Sequence, residues 1–453
     1  MNSSVSRYEK AFRSNPRYVL AQNACQKHDP LEVSVLRERL QNGAYDNSFS
    51  HKIKDIGIPV TNQRNSGRCW IFACLNAIRI PFMKHYKIKE FEFSQSHIFF
   101  WDKIERSNHF LNTIVLTAKR GDSLDSRLVM SLLNDPVGDG GHWNMVANII
   151  IKYGLMPQSN FPESFNSKKS DELNDILNSK LREFASILHT MVSDKANDDD
   201  IQIQINQNMC TVYRIVGICL GIPSEQFAWS FYDYYHKPHV FGPMTSLQFY
   251  EELVRPVYNV ADKVCLISDP RTGSAFGKLY TVDLLNNMVG GAQVLFNNQP
   301  IEVLLQACQD SIIKRVEPVW FGCQIEQRFS KKLGQADLEI HDFNVTFGTE
   351  VSKSMSKAER ITYQESSATH AMIFIGINLE SERITKLCVE NSWGRQKISN
   401  GYLMMTAEWF KEYVFELVVD KTLLPESVLQ VYNQEPIVLK HWDPLGKLLK
   451  LAD

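Results

Sequence analysis

The 453-residue chain carries 49 Lys+Arg against 51 Asp+Glu, a formal net charge of -2, with 44% hydrophobic and 22% charged residues. That balance describes a globular chain long enough to bury a large core, and it gives no support for a dominant nucleic-acid surface. No run approaches the ~18 apolar residues that span a bilayer, and Met1 to Lys10 lacks the apolar segment of a secretory signal, so a cytoplasmic protein is expected.

Nine cysteines occur, an odd number without a CxxC pair. They fit thiols in a reducing compartment better than a disulfide framework. Residues 1–60 are mixed and polar, an N-terminal extension with helix-like pieces such as Asp29 to Arg37. A helical unit over 61–155 follows. It contains the stretch Gln63-Arg64-Asn65-Ser66-Gly67-Arg68-Cys69-Trp70, which opens an apolar run to Ile78 and ends at Pro81. Cys69 thus falls in the first turn of a buried helix, where the positive end of the helix favours a thiolate. Gln63 lies close enough to aim its amide at the same point, as an oxyanion donor. Ser94 is the expected N-cap of a second helix through His97 and Trp101. Asp139-Gly140-Gly141-His142-Trp143 then reads either as a plain loop or as a place where an extended peptide backbone approaches closely.

Residues 156–310 read as mainly helical. Leu173, Ile176, Leu177, Leu181, Phe184, Ile187, Leu188 and Met191 form one stripe at three- and four-residue steps. Thr245-Ser246-Leu247-Gln248 has capping-box form. Over 311–430 the pattern changes to short apolar runs, Pro318 to Cys323, Ala371 to Ile377 and Glu416 to Val419, which read as strands. Helices followed by strands point to an α+β fold. Residues 431–453 form a C-terminal tail. His370 begins one strand, and Asn391 lies about 20 residues later in Glu390-Asn391-Ser392-Trp393-Gly394. Adjacent strands would bring the two together, with the Asn391 carboxamide orienting the imidazole and Trp393 keeping water off that bond.

Taken in order, Gln63, Cys69, His370 and Asn391 in these contexts resemble the papain superfamily of cysteine proteases. The resemblance implies a two-lobe fold, a helical lobe plus an antiparallel β-barrel lobe. It assigns Cys69 as nucleophile, His370 as general acid and base, Asn391 as orienting residue and Gln63 as oxyanion donor. Gly140, Gly141 and Trp393 would bind substrate. About 300 residues separate Cys69 from His370, more than a minimal two-lobe domain of about 200 residues needs. The surplus, together with the ending Trp442-Asp443-Pro444-Leu445-Gly446, makes the chain similar to the bleomycin hydrolase group of that superfamily. That group implies a cytosolic homohexamer with its active sites in a central cavity. It also implies a C-terminal carboxylate that holds the substrate's free amino group. In this chain that end is Asp453, a few residues beyond the group's usual ending.

The expected activity is therefore release of N-terminal residues from peptides and amide-bearing small molecules. No cofactor, metal or membrane is expected, and nucleic acid is not an expected partner. A transamidase or acyltransferase with the same triad is the nearest enzymatic rival. A peptide-binding, chaperone-like assembly is the non-catalytic one. Gly273 to Leu279 is one residue short of a P-loop and lacks the Ser/Thr after Lys278, and no HExxH zinc motif occurs.

Overall fold

The structure, a computed structural model, describes residues 2–38, 48–54, 60–395 and 399–447. Five helices dominate the N-terminal half: α1 (Cys69–Tyr86), α2 (Gln95–Arg120), α3 (Trp143–Tyr153), α4 (Asp171–Ser193) and α5 (Asp198–Leu220). α1 is central. Every residue from Cys69 to Ile80 is buried, so this part of the helix has no solvent face. Its apolar run is not interrupted where the sequence predicts. Pro81 lies inside the helix, which continues to an αL end at Lys87. Proline removes one backbone donor, but Phe82 and Met83 beyond it are fully buried, and their packing holds the last turn.

The Ser94 hydroxyl accepts from the His97 N–H at 3.0 Å and caps α2 as expected. The Thr245 capping box also forms, although the segment after it winds into a π turn at Phe249–Val254. In α4, Leu173, Leu177, Leu181, Phe184 and Leu188 face the core, but Ile176 is 52% and Ile187 44% exposed. The apolar stripe is therefore wider than the face that α2 and α5 cover.

The helical reading of 156–310 holds to Leu220 and again over Ile301–Asp310. Beyond Leu220 come a hairpin, β2 (Phe227–Tyr232) with β3 (Pro238–Met244), and then β4 (Lys263–Ile267), β5 (Lys278–Val282) and β6 (Phe296–Asn298). The last three join β7 (Val319–Cys323), β10 (His370–Glu380), β11 (Arg383–Glu390), β12 (Tyr402–Thr406), β13 (Val414–Asp420) and β14 (Ile437–Leu439) in one 12-stranded sheet. Short strands at β1 (His51–Lys52), β8 (Phe329–Ser330) and β9 (Gln335–Ala336) complete it. β4 is too short and too uniformly apolar to show a period of its own. Val418 pairs with Cys265 and Leu417 with Leu266, so β13 decides its conformation. The expected antiparallel barrel lobe takes the form of this sheet, mostly antiparallel, with parallel pairs at β4·β6, β5·β14 and β9·β12.

One core cluster runs through helices and sheet. α1 lies against β10 and β7, and Trp320 Nε1 donates to the Trp70 carbonyl at 3.3 Å. That contact sets the start of α1 against the strands that carry the rest of the site.

Candidate active site

Cys69 is the first residue of α1 and is fully buried. The preceding residue, Arg68, makes no side-chain cap. Its guanidinium instead forms two hydrogen bonds to Glu163, at 3.0 and 2.7 Å, and lies over the Phe72 and Phe99 rings. The positive end of α1 is therefore not neutralised by an N-cap side chain at Cys69.

Gln63 is held at both ends of its amide. Its Nε2 donates to the Ser66 carbonyl at 2.8 Å, and its Oε1 accepts from the Ser392 hydroxyl at 2.6 Å. The amide nitrogen has a second hydrogen, so one donor remains for an oxyanion. Ser392 follows Asn391 and also accepts from the Gln63 N–H at 2.8 Å through its carbonyl. The segment carrying Gln63 is thereby tied to the segment carrying Asn391.

His370 opens β10 opposite Cys323 of β7, and Asn391 follows the last residue of β11. The antiparallel β10·β11 pairing brings them together. His370 Nε2 and Asn391 Oδ1 are 2.9 Å apart, and the same oxygen accepts from the Ser392 N–H at 2.7 Å. An amide oxygen accepts, so Nε2 carries hydrogen and Nδ1 is left to face its reaction partner. The Trp393 ring stacks on His370 with centroids 5.1 Å apart, covering the bond as the sequence predicts. Burial pushes the His370 pKa down to about 4, against the upward pull of the Asn391 bond. A second tie runs from the middle of α1: Arg79 donates to Glu390 at 2.6 Å, both fully buried, one residue before Asn391.

Gly140 and Gly141 are buried in the loop before α3. A Cβ at Gly141 would come within 2.7 Å of the Trp70 indole. The glycine therefore has a packing reason as well as any substrate role. Asp453 lies outside the described residues.

Sequence reasoning missed the carboxylate that organises this side. Asp139 accepts from the Gly67 N–H at 3.0 Å, Lys103 Nζ at 2.8 Å, Asn174 Nδ2 at 2.7 Å and the Ser170 hydroxyl. Its carbonyl accepts from Trp70 Nε1 at 2.6 Å. Burial alone would raise its pKa, but Lys103 and these donors hold it well below the usual carboxylate range. One residue thus links the nucleophile loop, α2 and α4. The only signal in the sequence was its place beside Gly140. A second missed pair is His142 Nδ1 with Glu416, at 3.0 Å and buried, which joins the end of the glycine loop to β13.

Comparison with known proteins identifies the family. The profile of the Peptidase C1-like family matches residues 1–446. Bleomycin hydrolase from Gallus gallus is 48% identical over 446 residues, 98% of this chain and 97% of that protein. Aminopeptidase C from Lactococcus lactis subsp. cremoris is 37% identical over 442 residues, 96% of this chain and 97% of that one. The crystal structure of PepW from Lactobacillus rhamnosis superposes with a TM-score of 0.93 at 36% identity, covering 99% of both chains.

Proposed function

The chain belongs to the Peptidase C1-like family and is a papain-like cysteine aminopeptidase, and from that premise we propose that Cys69, His370 and Asn391 act as its catalytic triad. The observation that carries the reading is the 2.9 Å His370–Asn391 bond beneath Trp393, together with a cysteine at the first position of the helix packed on the same strands.

The Cys69 thiolate attacks the carbonyl of the first peptide bond. The Gln63 amide and the Cys69 N–H hold the developing oxyanion. His370 then gives its Nδ1 proton to the leaving amine, and the thioester forms. Water loses a proton to His370 and attacks the thioester, which releases the acid and restores the thiolate. Burial makes an isolated imidazolium at His370 unfavourable, so the ring keeps its proton only beside the thiolate. Once attack consumes that charge, transfer to the leaving group is downhill.

The tail supports the exopeptidase reading. β14 pairs with β5, and Asp443 accepts from Arg271 at 2.8 Å. Gly446 borders a cavity of about 130 Å³ with Asp135, Pro136 and Met145, residues that flank the Gly140-Gly141 loop. We infer that the residues beyond it bring a terminal carboxylate into the cleft, where it pairs with the substrate's ammonium and sets cleavage one residue from the N-terminus. Gly140 and Gly141 would hold the acyl portion, and amide-bearing small molecules of similar shape would also be substrates. The exposed Phe165 (73%), just before α4, and Ile218 (78%), on α5, suit subunit contacts of a homohexamer. The absence of any disulfide among the nine cysteines suits the reducing cytoplasm.

Mass analysis of a digested peptide tests this. Stepwise loss of N-terminal residues is expected, with an N-acetylated peptide resistant. Deleting the residues after Gly446 should admit internal cleavage. Internal cleavage by the full chain, or unchanged products after the deletion, would overturn the tail-gated reading.

A further inference from the structure

Trp393 does more than cover the His370–Asn391 bond, because a cation borders it. Lys331 Nζ stands 5.5 Å from the centroid of the Trp393 ring. Lys331 occupies the turn between β8 and β9, and the backbone beneath it is set. The Gly334 N–H donates to the Ser330 carbonyl at 2.9 Å, β9 pairs with β12 through Gln335 and Met404, and the Phe329 ring lies 6.3 Å from Trp393.

Two arginines share this neighbourhood through the backbone. Arg64 follows Gln63 in the loop that bridges Asn62 to Trp393, and Arg395 lies two residues beyond Trp393. The Gly394 N–H donates to the Thr61 carbonyl at 3.0 Å, which locks those two segments side by side. Arg64, Lys331 and Arg395 are all exposed, and none forms an ion pair with a carboxylate among the described residues. Glu326 accepts from the hydroxyl of Thr369, the residue before His370, at 2.8 Å.

The chemistry gives this patch a direction. His370 protonates the leaving amine, so the departing part of the substrate passes on the His370–Trp393 side, while the acyl part lies toward Gly140 and Gly141. We propose that Arg64, Lys331 and Arg395 form a cationic rim that selects peptides whose second residue, just after the scissile bond, is acidic. The inference rests on the aminopeptidase reading and adds a substrate class to it. Exposed charges contribute modestly and are screened by salt, so the rim acts as a preference and not as a lock.

The test compares tripeptides with free N-termini that differ only in a second-residue Asp or Lys. The wild-type ratio of kcat/KM is expected to favour Asp about ten-fold, and to shrink toward one at about 0.5 M NaCl, where the screening length is about 4 Å. Lys331→Glu combined with Arg395→Glu should bring the ratio to one or invert it. Because the ratio is taken within each variant, partial loss of folded enzyme cancels. An equal Asp/Lys ratio in wild type and double variant overturns the rim while N-terminal release still stands. Failure of the wild type to release an N-terminal residue from either peptide overturns both.

Discussion

Residues 61–68 reach Cys69 as irregular chain, whereas His370 and Asn391 stand at the ends of paired strands. Beside a few isolated backbone bonds, such as Gln63 N–H to the Ser392 carbonyl, side chains from distant segments hold the first group. Asp139 binds Gly67 across 72 residues of sequence, Glu163 binds Arg68 across 95, and Ser392 binds Gln63 across 329. Backbone pairing holds the second, with His370 opposite Cys323 and Ile373 opposite Glu390. A strand inherits its position from register, and a one-residue slip would turn its whole buried set outward. Irregular chain has no register, so it needs polar partners that satisfy its donors. The two sides should accordingly respond differently to mutation.

The largest effect should come from the reacting atom itself. Cys69→Ala is expected to cut turnover by about 10⁴-fold or more, with circular dichroism and assembly size unchanged. Turnover near wild type would remove the nucleophile side from the chemistry. Next, Asp139→Ala leaves the Lys103 ammonium buried without its partner. A loss of about 3–5 kcal/mol in a denaturant titration is expected, along with slower alkylation of Cys69. A change below about 1 kcal/mol would mean that packing, not the carboxylate, holds the nucleophile loop.

On the strand side, Asn391→Ala should lower kcat by about ten- to a hundred-fold, because the ring loses its orienting acceptor. Stability should change less than in Asp139→Ala, since the β10·β11 ladder remains. Equal destabilisation of the two variants would erase the contrast between the sides. The last effect concerns protons. Burial holds His97, on α2, and His341, on the sheet side, each at about 4, below the ~6.5 of an unfolded histidine. The unfolded chain binds the extra protons in that interval. Stability should therefore be fully present above pH ~6.5 and fall toward pH ~4, by about 1.4 kcal/mol per pH unit for each histidine. His97→Gln should flatten that slope by one proton in urea titrations, and a slope unchanged from wild type would count against the assignment.

Local signals in the sequence were read correctly where the cause is local. Ser94 caps α2 because a hydroxyl three residues ahead of a free N–H needs no distant partner. The runs at Val319, Ala371 and Glu416 became strands, as expected of apolar runs too short for a helix of several turns and bounded by polar segments. The misreadings share another cause. Pro81 stays helical, Ile176 and Ile187 stay exposed, and β4 becomes a strand because of what packs beside them. The site divides the same way. Cys69, His370, Asn391, Gln63 and Trp393 stood out as candidates because each is a chemically distinctive residue in a short context. Asp139 and the His142–Glu416 pair did not, because a buried carboxylate looks like any other until its partners converge on it.

The amino-acid sequence by itself determined which reactive groups this protein carries, the order in which they occur and the caps and strands that start near them. Those depend on residue type and on neighbours a few positions away. Only the tertiary structure decided that Asp139 would fasten the loop before Cys69 to two helices, that Glu390 would tie α1 to the strand before Asn391, and that the Lys331 ammonium would stand beside the Trp393 ring. Burial and charge pairing are properties of distance in space, and residues far apart in the chain acquire them only when the core closes.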